Sequence, residues 1–145
     1  MIFDSFRARV GVVIINKGQI LLIRDVRDPT PRFHLPGDIV KLSESLERAC
    51  KRVVKEQTGL DIELQKLLYV RDDISNEKHR LDLFFLGKIA EEQEVIARDD
   101  RFKLDWVNLQ IIESMDLFPK FLRRQILEDW EERFRVPAKY VGPLE

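Results

Sequence analysis

The sequence predicts a mixed α+β sandwich, and three observations carry that expectation. Two β-branched apolar runs, broken by Asn16-Lys17-Gly18, open the chain as a pair of strands. One amphipathic helical stretch ends in Thr58-Gly59, with strand-like segments on both sides of it. A second amphipathic stretch follows Pro119. At 145 residues and 44% hydrophobic, with 6 Gly and 6 Pro, the chain suits one compact domain over residues 1–145 with a real core.

Residues 8–24 are read as two antiparallel strands joined at the Gly-containing break. Residues 25–38, with three prolines and a glycine, are read as a loop, because proline removes backbone donors and biases the chain toward turns. Between Ser43 and Gly59, residues Leu46, Ala49, Cys50, Val53 and Val54 recur at helical spacing, with Ser43 as the N-cap and Gly59 as the stop. Residues 62–70, 81–89 and 104–107 are short and strand-like, and the polar stretch 90–101 is a solvated loop. Phe121, Leu122, Gln125, Ile126, Trp130 and Phe134 mark a structural helix on the sheet, and residues 136–145 form an extended tail.

Composition narrows the function. The 25 Lys plus Arg nearly cancel the 26 Asp plus Glu, for a formal net charge of -1, so no basic footprint for duplex nucleic acid is present. The single cysteine, Cys50, excludes an intramolecular disulfide and fits the apolar stripe of the helix. No apolar run reaches the ~20 residues that span a bilayer, and Arg7 and Arg9 interrupt any signal-peptide core, so a cytoplasmic setting with no membrane partner is expected.

From Leu35-Pro36-Gly37-Asp38 to Gly59-Leu60 the chain resembles the Nudix box of the MutT-like hydrolase superfamily, G-x5-E-x7-R-E-U-x-E-E-x-G-U, without a gap. Asp38 stands at the first glycine, Glu44 at the isolated glutamate, Arg52 at the arginine, and Glu56 at the first of the paired glutamates. Val53 and Gln57 stand where the pattern has glutamate. The lead-in hairpin and the strands around 81–86 and 105–107 extend the resemblance over about residues 6–130. It implies the Nudix fold, an α/β/α sandwich with a mixed central sheet, a box helix and a C-terminal helix.

The resemblance also implies chemistry. Nudix enzymes cleave nucleoside diphosphate derivatives (nucleotides, dinucleotides, ADP-ribose) with divalent cations that neutralise phosphate oxygens and activate water. Mg2+ or Mn2+ is thus the implied cofactor, a nucleoside diphosphate-type small molecule the implied partner, and a homodimer the implied assembly. The implied catalytic residues are Glu56, Arg52 and Glu44, and the implied metal donors are Glu56, Gly37, Gln57 and Asp38. With Val53 and Gln57 in carboxylate positions, two readings stay open: a hydrolase with an impaired metal site, and a catalytically silent nucleotide-binding or interaction module.

Single residues carry alternatives too. Arg52 orients glutamates or makes a helix salt bridge with Glu56. Glu44 serves the metal or complements the helix dipole. Asp38 is a turn residue or a relocated metal carboxylate, and Asp99 and Asp100 are extra ligands or a solvated charge run. His34 and His79 lack zinc-ligand spacing and are read as loop or surface residues. Phe33, Tyr69, Phe85 and Trp106 are core aromatics or base-stacking surfaces. No Gly-rich phosphate loop or serine-nucleophile motif occurs.

Overall fold

The computed structural model describes residues 6–30, 32–75, 77–96 and 100–143. β1 (Phe6–Asn16) and β2 (Gln19–Asp25) form the expected hairpin. Its turn uses Lys17 and Gly18, both at positive φ (52° and 76°), the backbone that matches strand twist across a two-residue connection. β1 then serves as the hub of the sheet. It runs parallel to β5 (Lys78–Ile89) from Phe6 to Ile14, while its other edge is divided between two partners. β3 (Gly37–Ile39) takes the N-terminal part, pairing Arg9 with Ile39 and Gly11 with Gly37; β2 takes Ile15 and Asn16.

The strand order is β6-β2-β1-β5-β4-β7, with β3 beside β1. β2 leaves β1 to pair along its whole length with β6 (Phe102–Asn108). This fork between β2 and β3 opens the cleft described below.

Alternate residues of the two central strands feed opposite faces, as strand geometry requires. Val10, Val12, Ile14 and Leu21 pack with Ala49, Cys50, Val53 and Val54 of α1 (Leu46–Thr58). Val13, Ile20 and Leu22 pack with Leu122 and Ile126 of α2 (Phe121–Glu131) and with Leu109 and Ile112. The sheet is therefore sandwiched between a helix on each face, in agreement with the expected architecture.

Several boundaries differ from the sequence reading. The N-cap of α1 is Ser45, not Ser43: the Ser45 hydroxyl accepts from Arg48 N at 3.2 Å, whereas Ser43 holds a left-handed turn at φ 64°. Gly59 is the stop, at φ 77°, and a Cβ there would lie 3.0 Å from the Ile96 carbonyl. Gly37 and Asp38 lie in β3 rather than in a loop.

β4 (Ile62–Ser75) and β5 run beyond the apolar segments, and charged residues face each other across that extension, Arg71 opposite Asp82 and Asp73 opposite Arg80. Apolar periodicity is blind to strands held by such pairs. A 3-10 helix, Leu109–Ser114, follows β6 and is capped by Asn108, which accepts from Gln110 N at 2.8 Å. α2 stops at Glu131, and Phe134, at φ 56°, still turns into the core. In the tail, β7 (Lys139–Val141) pairs in parallel with β4 and is anchored by the Lys139 ammonium 3.0 Å from buried Asp129. No described helix is long and apolar enough to cross a membrane.

Candidate functional site

The chemistry of the box centres on one contact between α1 and β3. The Gln57 side chain is buried, 7% exposed, and its amide meets the Gly37 peptide at two points. Gly37 N donates to Gln57 Oε1 at 3.1 Å, and Gln57 Nε2 donates to Gly37 O at 3.0 Å. An amide offers a donor and an acceptor side by side at any pH, which an ionised carboxylate cannot. Glycine is needed at 37 for a separate reason, since a Cβ would come within 2.4 Å of the Val10 carbonyl. Asp38, opposite Val10 in β3, is exposed, and its Oδ1 accepts from Ile39 N at 2.7 Å. Asp38 is thus an extended strand residue and not the turn residue that the sequence suggests.

A second cluster sits on the outer flank of α1. Arg52 Nε and Nη2 donate to the two Glu44 oxygens at 2.7 and 3.0 Å, Nη1 donates to Glu56 at 3.2 Å, and Nη2 also reaches the Ile39 carbonyl at 3.2 Å. Glu44 further accepts from Lys41 N at 3.1 Å. The Arg52 hydrogen bond, with help from Lys41, holds the Glu44 carboxyl at about 2. Glu44 is thus the bidentate partner of Arg52, outside the helix cap, and Arg52 ties the helix to β3. Glu56 is 57% exposed on this flank. Val53, fully buried among the apolar residues under α1, points elsewhere. Glu44, Arg52 and Glu56 are therefore brought together, while Gln57 and Gly37 form their own pair.

The fork between β2 and β3 encloses a cleft of about 440 Å³. The cleft is lined by Arg9, Gly37, Asp38 and Gln57, by Asp25, Arg27, Asp28 and His34, and by Arg101 and Phe102. Arg101 Nε and Nη2 both donate to Asp25 Oδ2, at 2.9 and 2.7 Å, which holds the Asp25 carboxyl below its usual range. The Arg101 guanidinium lies over the Phe102 ring, 5.0 Å from its centre. Burial lowers the affinity of His34 for a proton, so its ring stays neutral near pH 7. Arg9 is also desolvated, and among the described residues its one hydrogen bond is a long one, 3.5 Å to the Gly37 carbonyl.

A hard divalent cation seeks several convergent oxygen donors. The Gly37 carbonyl is occupied by Gln57 Nε2, the Gln57 oxygen by Gly37 N, and both Glu44 oxygens by Arg52. One Glu56 oxygen accepts from Arg52, and among the described residues Glu56 has no other hydrogen-bond partner. Among the described residues, no three acidic, histidine or cysteine side chains gather closely enough to hold a metal ion. The donors among the described residues thus do not fit a cation held by protein carboxylates. Asp99 lies outside the described residues; Asp100 is exposed and lines a separate groove with Lys103 and Trp106.

The other sequence candidates lie outside the cleft. Tyr69 is core, its hydroxyl donating to Asp129 at 2.7 Å, and Phe33, Phe85 and Trp106 pack against the two apolar clusters. His79 is a strand residue hydrogen-bonded to Asp72. Arg9, Asp25, Arg101 and Phe102 were not singled out as site residues by the sequence reading. For Arg9 a signal existed, a cation next to the apolar run that starts at Val10; Asp25 and Arg101 lie 76 residues apart and carry none.

The model of the NUDIX domain family matches residues 5–129. The chain belongs to this family. This NUDIX protein is 32% identical over 100 residues, 67% of its length, to a "Putative 8-oxo-dGTP diphosphatase" of Bacillus subtilis, and spans 63% of that relative. It is 28% identical over 124 residues, 83% of its length and 70% of the relative's, to an "ADP-ribose pyrophosphatase" of Methanocaldococcus jannaschii. Among solved structures, a MutT NUDIX hydrolase from Burkholderia pseudomallei matches at TM-score 0.65 and 33% identity, over 74% of this chain and 86% of that one.

Proposed function

We propose that this NUDIX protein binds a nucleoside diphosphate derivative in the cleft between β2 and β3, and that it hydrolyses that ligand weakly or not at all. The contact that carries the reading is the Gln57–Gly37 amide pair, which fills with a neutral hydrogen-bonded unit the position the box pattern gives to a glutamate. The family supports the ligand class, as do two relatives whose names specify 8-oxo-dGTP and ADP-ribose. Phe102 and the stacked Arg101 offer a planar surface suited to a base or ribose, and a cleft of about 440 Å³ has the size of an ordinary small-molecule site.

Residual cleavage is the second reading, favoured by Glu56: it is exposed, oriented by Arg52, and able to accept a proton from water. Mg2+ or Mn2+ would then have to arrive with the phosphates of the ligand, since one free carboxylate replaces few of its waters. A buried lone thiol is compatible with a cytoplasmic protein.

The test combines calorimetry, thermal melts and product analysis with ADP-ribose, NAD, diadenosine polyphosphates and nucleoside triphosphates, each in EDTA and in magnesium or manganese. A ligand at about a hundred times its dissociation constant raises stability by roughly 2.7 kcal/mol, with or without metal. Magnesium alone binds in the millimolar range or weaker. A micromolar magnesium site, or fast turnover with any of these compounds, rejects the metal-poor reading; melts unmoved by the whole panel reject the ligand class.

A further inference from the structure

Arg9 enters the cleft from the middle of β1, where its neighbours Val10 and Val12 are core residues. Its strand partners are Ile39 on one side and Asp82 on the other. Asp82 is the obvious counter-ion, but its carboxylate is already taken. Arg71 Nη1 donates to Asp82 Oδ2 at 3.0 Å, and Arg80 Nε donates to Oδ1 at 2.8 Å. Arg71 and Arg80 also share Asp73, at 3.3 and 3.2 Å. Three guanidiniums, of Arg9, Arg71 and Arg80, thus draw on the carboxylates of Asp82 and Asp73, and both carboxylates are held in ion pairs by Arg71 and Arg80. The surplus of donors is visible in Arg71 Nε, which is buried without a partner.

Arg9 keeps only the through-space attraction of Asp82 and Asp38. Among the described residues it makes no ion pair, and its single hydrogen bond is to a neutral carbonyl that Gln57 already holds at 3.0 Å. Neighbouring Asp38 is exposed and bonded to its own chain at Ile39 N. A guanidinium has five donors in a rigid fork, matched to the paired oxygens of a phosphate. To remove such a group from water without an anion is unfavourable unless something on the open side replaces the lost hydration. The open side here is the cleft, where Arg9 lies beside Gln57, Gly37 and His34.

We infer that Arg9 is an anion anchor of the cleft, which takes a phosphate of the ligand by direct charge-assisted hydrogen bonds where a metal ion would otherwise screen it. The inference rests on the ligand class proposed above and adds the residue that grips its charge. It makes Arg9 a binding residue of this chain that lies outside the box.

The experiment uses inorganic pyrophosphate, ADP-ribose and adenosine as probes in EDTA, with the full chain and the variants Arg9→Gln and Arg9→Lys, by calorimetry and thermal melts. The expected result is that pyrophosphate and ADP-ribose bind the parent, that Arg9→Gln weakens both at least tenfold, and that Arg9→Lys restores part of the loss. Adenosine affinity stays the same in all three proteins. The ligand-free Arg9→Gln protein should melt no lower than the parent, because it loses a desolvated charge and not an ion pair. ADP-ribose binding equally well to parent and Arg9→Gln overturns the anchor while leaving the ligand class standing. Pyrophosphate binding that needs Arg9, with no ADP-ribose binding, upholds the anchor and overturns the ligand class. A ligand-free Arg9→Gln protein that melts well below the parent, with unchanged pyrophosphate affinity, assigns Arg9 to the strand ion network and overturns the proposal.

Discussion

Replacing Gln57 with glutamate (Gln57→Glu) exchanges one NH2 for one oxygen and keeps the shape of the side chain, so it tests the amide pair with Gly37 almost alone. Gly37 N keeps its acceptor, but the Gly37 carbonyl loses the donor now 3.0 Å away and faces a second acceptor instead. An unpaired buried carbonyl costs about 1–3 kcal/mol, and desolvation of the new carboxylate, at a position only 7% exposed, adds to it. A total of about 3 kcal/mol lowers the melting temperature by about 6–12 °C in a chain of this size.

Protonation of the new carboxyl gives back a donor, so its pKa rises in the folded state. The sign follows: the variant is relatively stable at pH 5 and loses stability as pH rises toward 8. A divalent cation between carboxylate and carbonyl substitutes for the lost donor, so 10-millimolar-scale manganese, about a hundred times a sub-millimolar dissociation constant, recovers roughly 2–3 kcal/mol in the variant and nothing in the parent. Gln57→Met loses the same hydrogen bonds without acquiring dependence on pH or metal. Melts of the three proteins at pH 5 and 8, with EDTA and with manganese, decide the matter. A Gln57→Glu protein as stable as the parent at pH 8 and indifferent to manganese refutes the account of the pair.

Val53→Ala should cost about 2 kcal/mol in urea unfolding and Val53→Glu considerably more, because the side chain is fully buried and offers a carboxylate no partner; a Val53→Glu protein as stable as Val53→Ala refutes that placement. Glu44→Gln should flatten the acid limb of stability. The carboxyl of Glu44 is held at about 2 against an ordinary 4.5, so its pairing with Arg52 contributes above pH 4.5 and is lost as pH falls toward 2; equal pH profiles for parent and variant count against the pair. The Cys50 thiol is buried and pushed up to about 12, so iodoacetamide at pH 8 should leave the native protein unmodified and label it only in denaturant, as mass spectrometry will read. Gly59→Ala should lose about 1–2 kcal/mol, since φ is 77° there and the added carbon meets Ile96; an unchanged melting curve contradicts the cap geometry.

What the sequence determined by itself was whatever local, repeating physics encodes. The stripe from Leu46 to Val54 marks α1, Gly59 its end, and Lys17-Gly18 the hairpin, because each is written within a few residues by burial period or by a demand for positive φ. The gapless spacing from Leu35 to Leu60 carries the resemblance to the family and its fold in one dimension. The ends of β4 and β5 were not legible, since they depend on Arg71 meeting Asp82 and Asp73 meeting Arg80 across strands. Nor was the state of the candidate site. Glutamine at 57 reads in one dimension as a weakened ligand; only tertiary structure, by bringing residue 37 within 3.0 Å of its amide, decides that the carbonyl and the side chain are already each other's partners. Arg9 changes meaning in the same way: a charge at the edge of an apolar run becomes, among the described residues, a cation in a cleft without an ion pair only once two other arginines have claimed the aspartate beside it. Such assignments depend on competition among groups far apart in sequence for the same few oxygens, and that competition is settled by the fold.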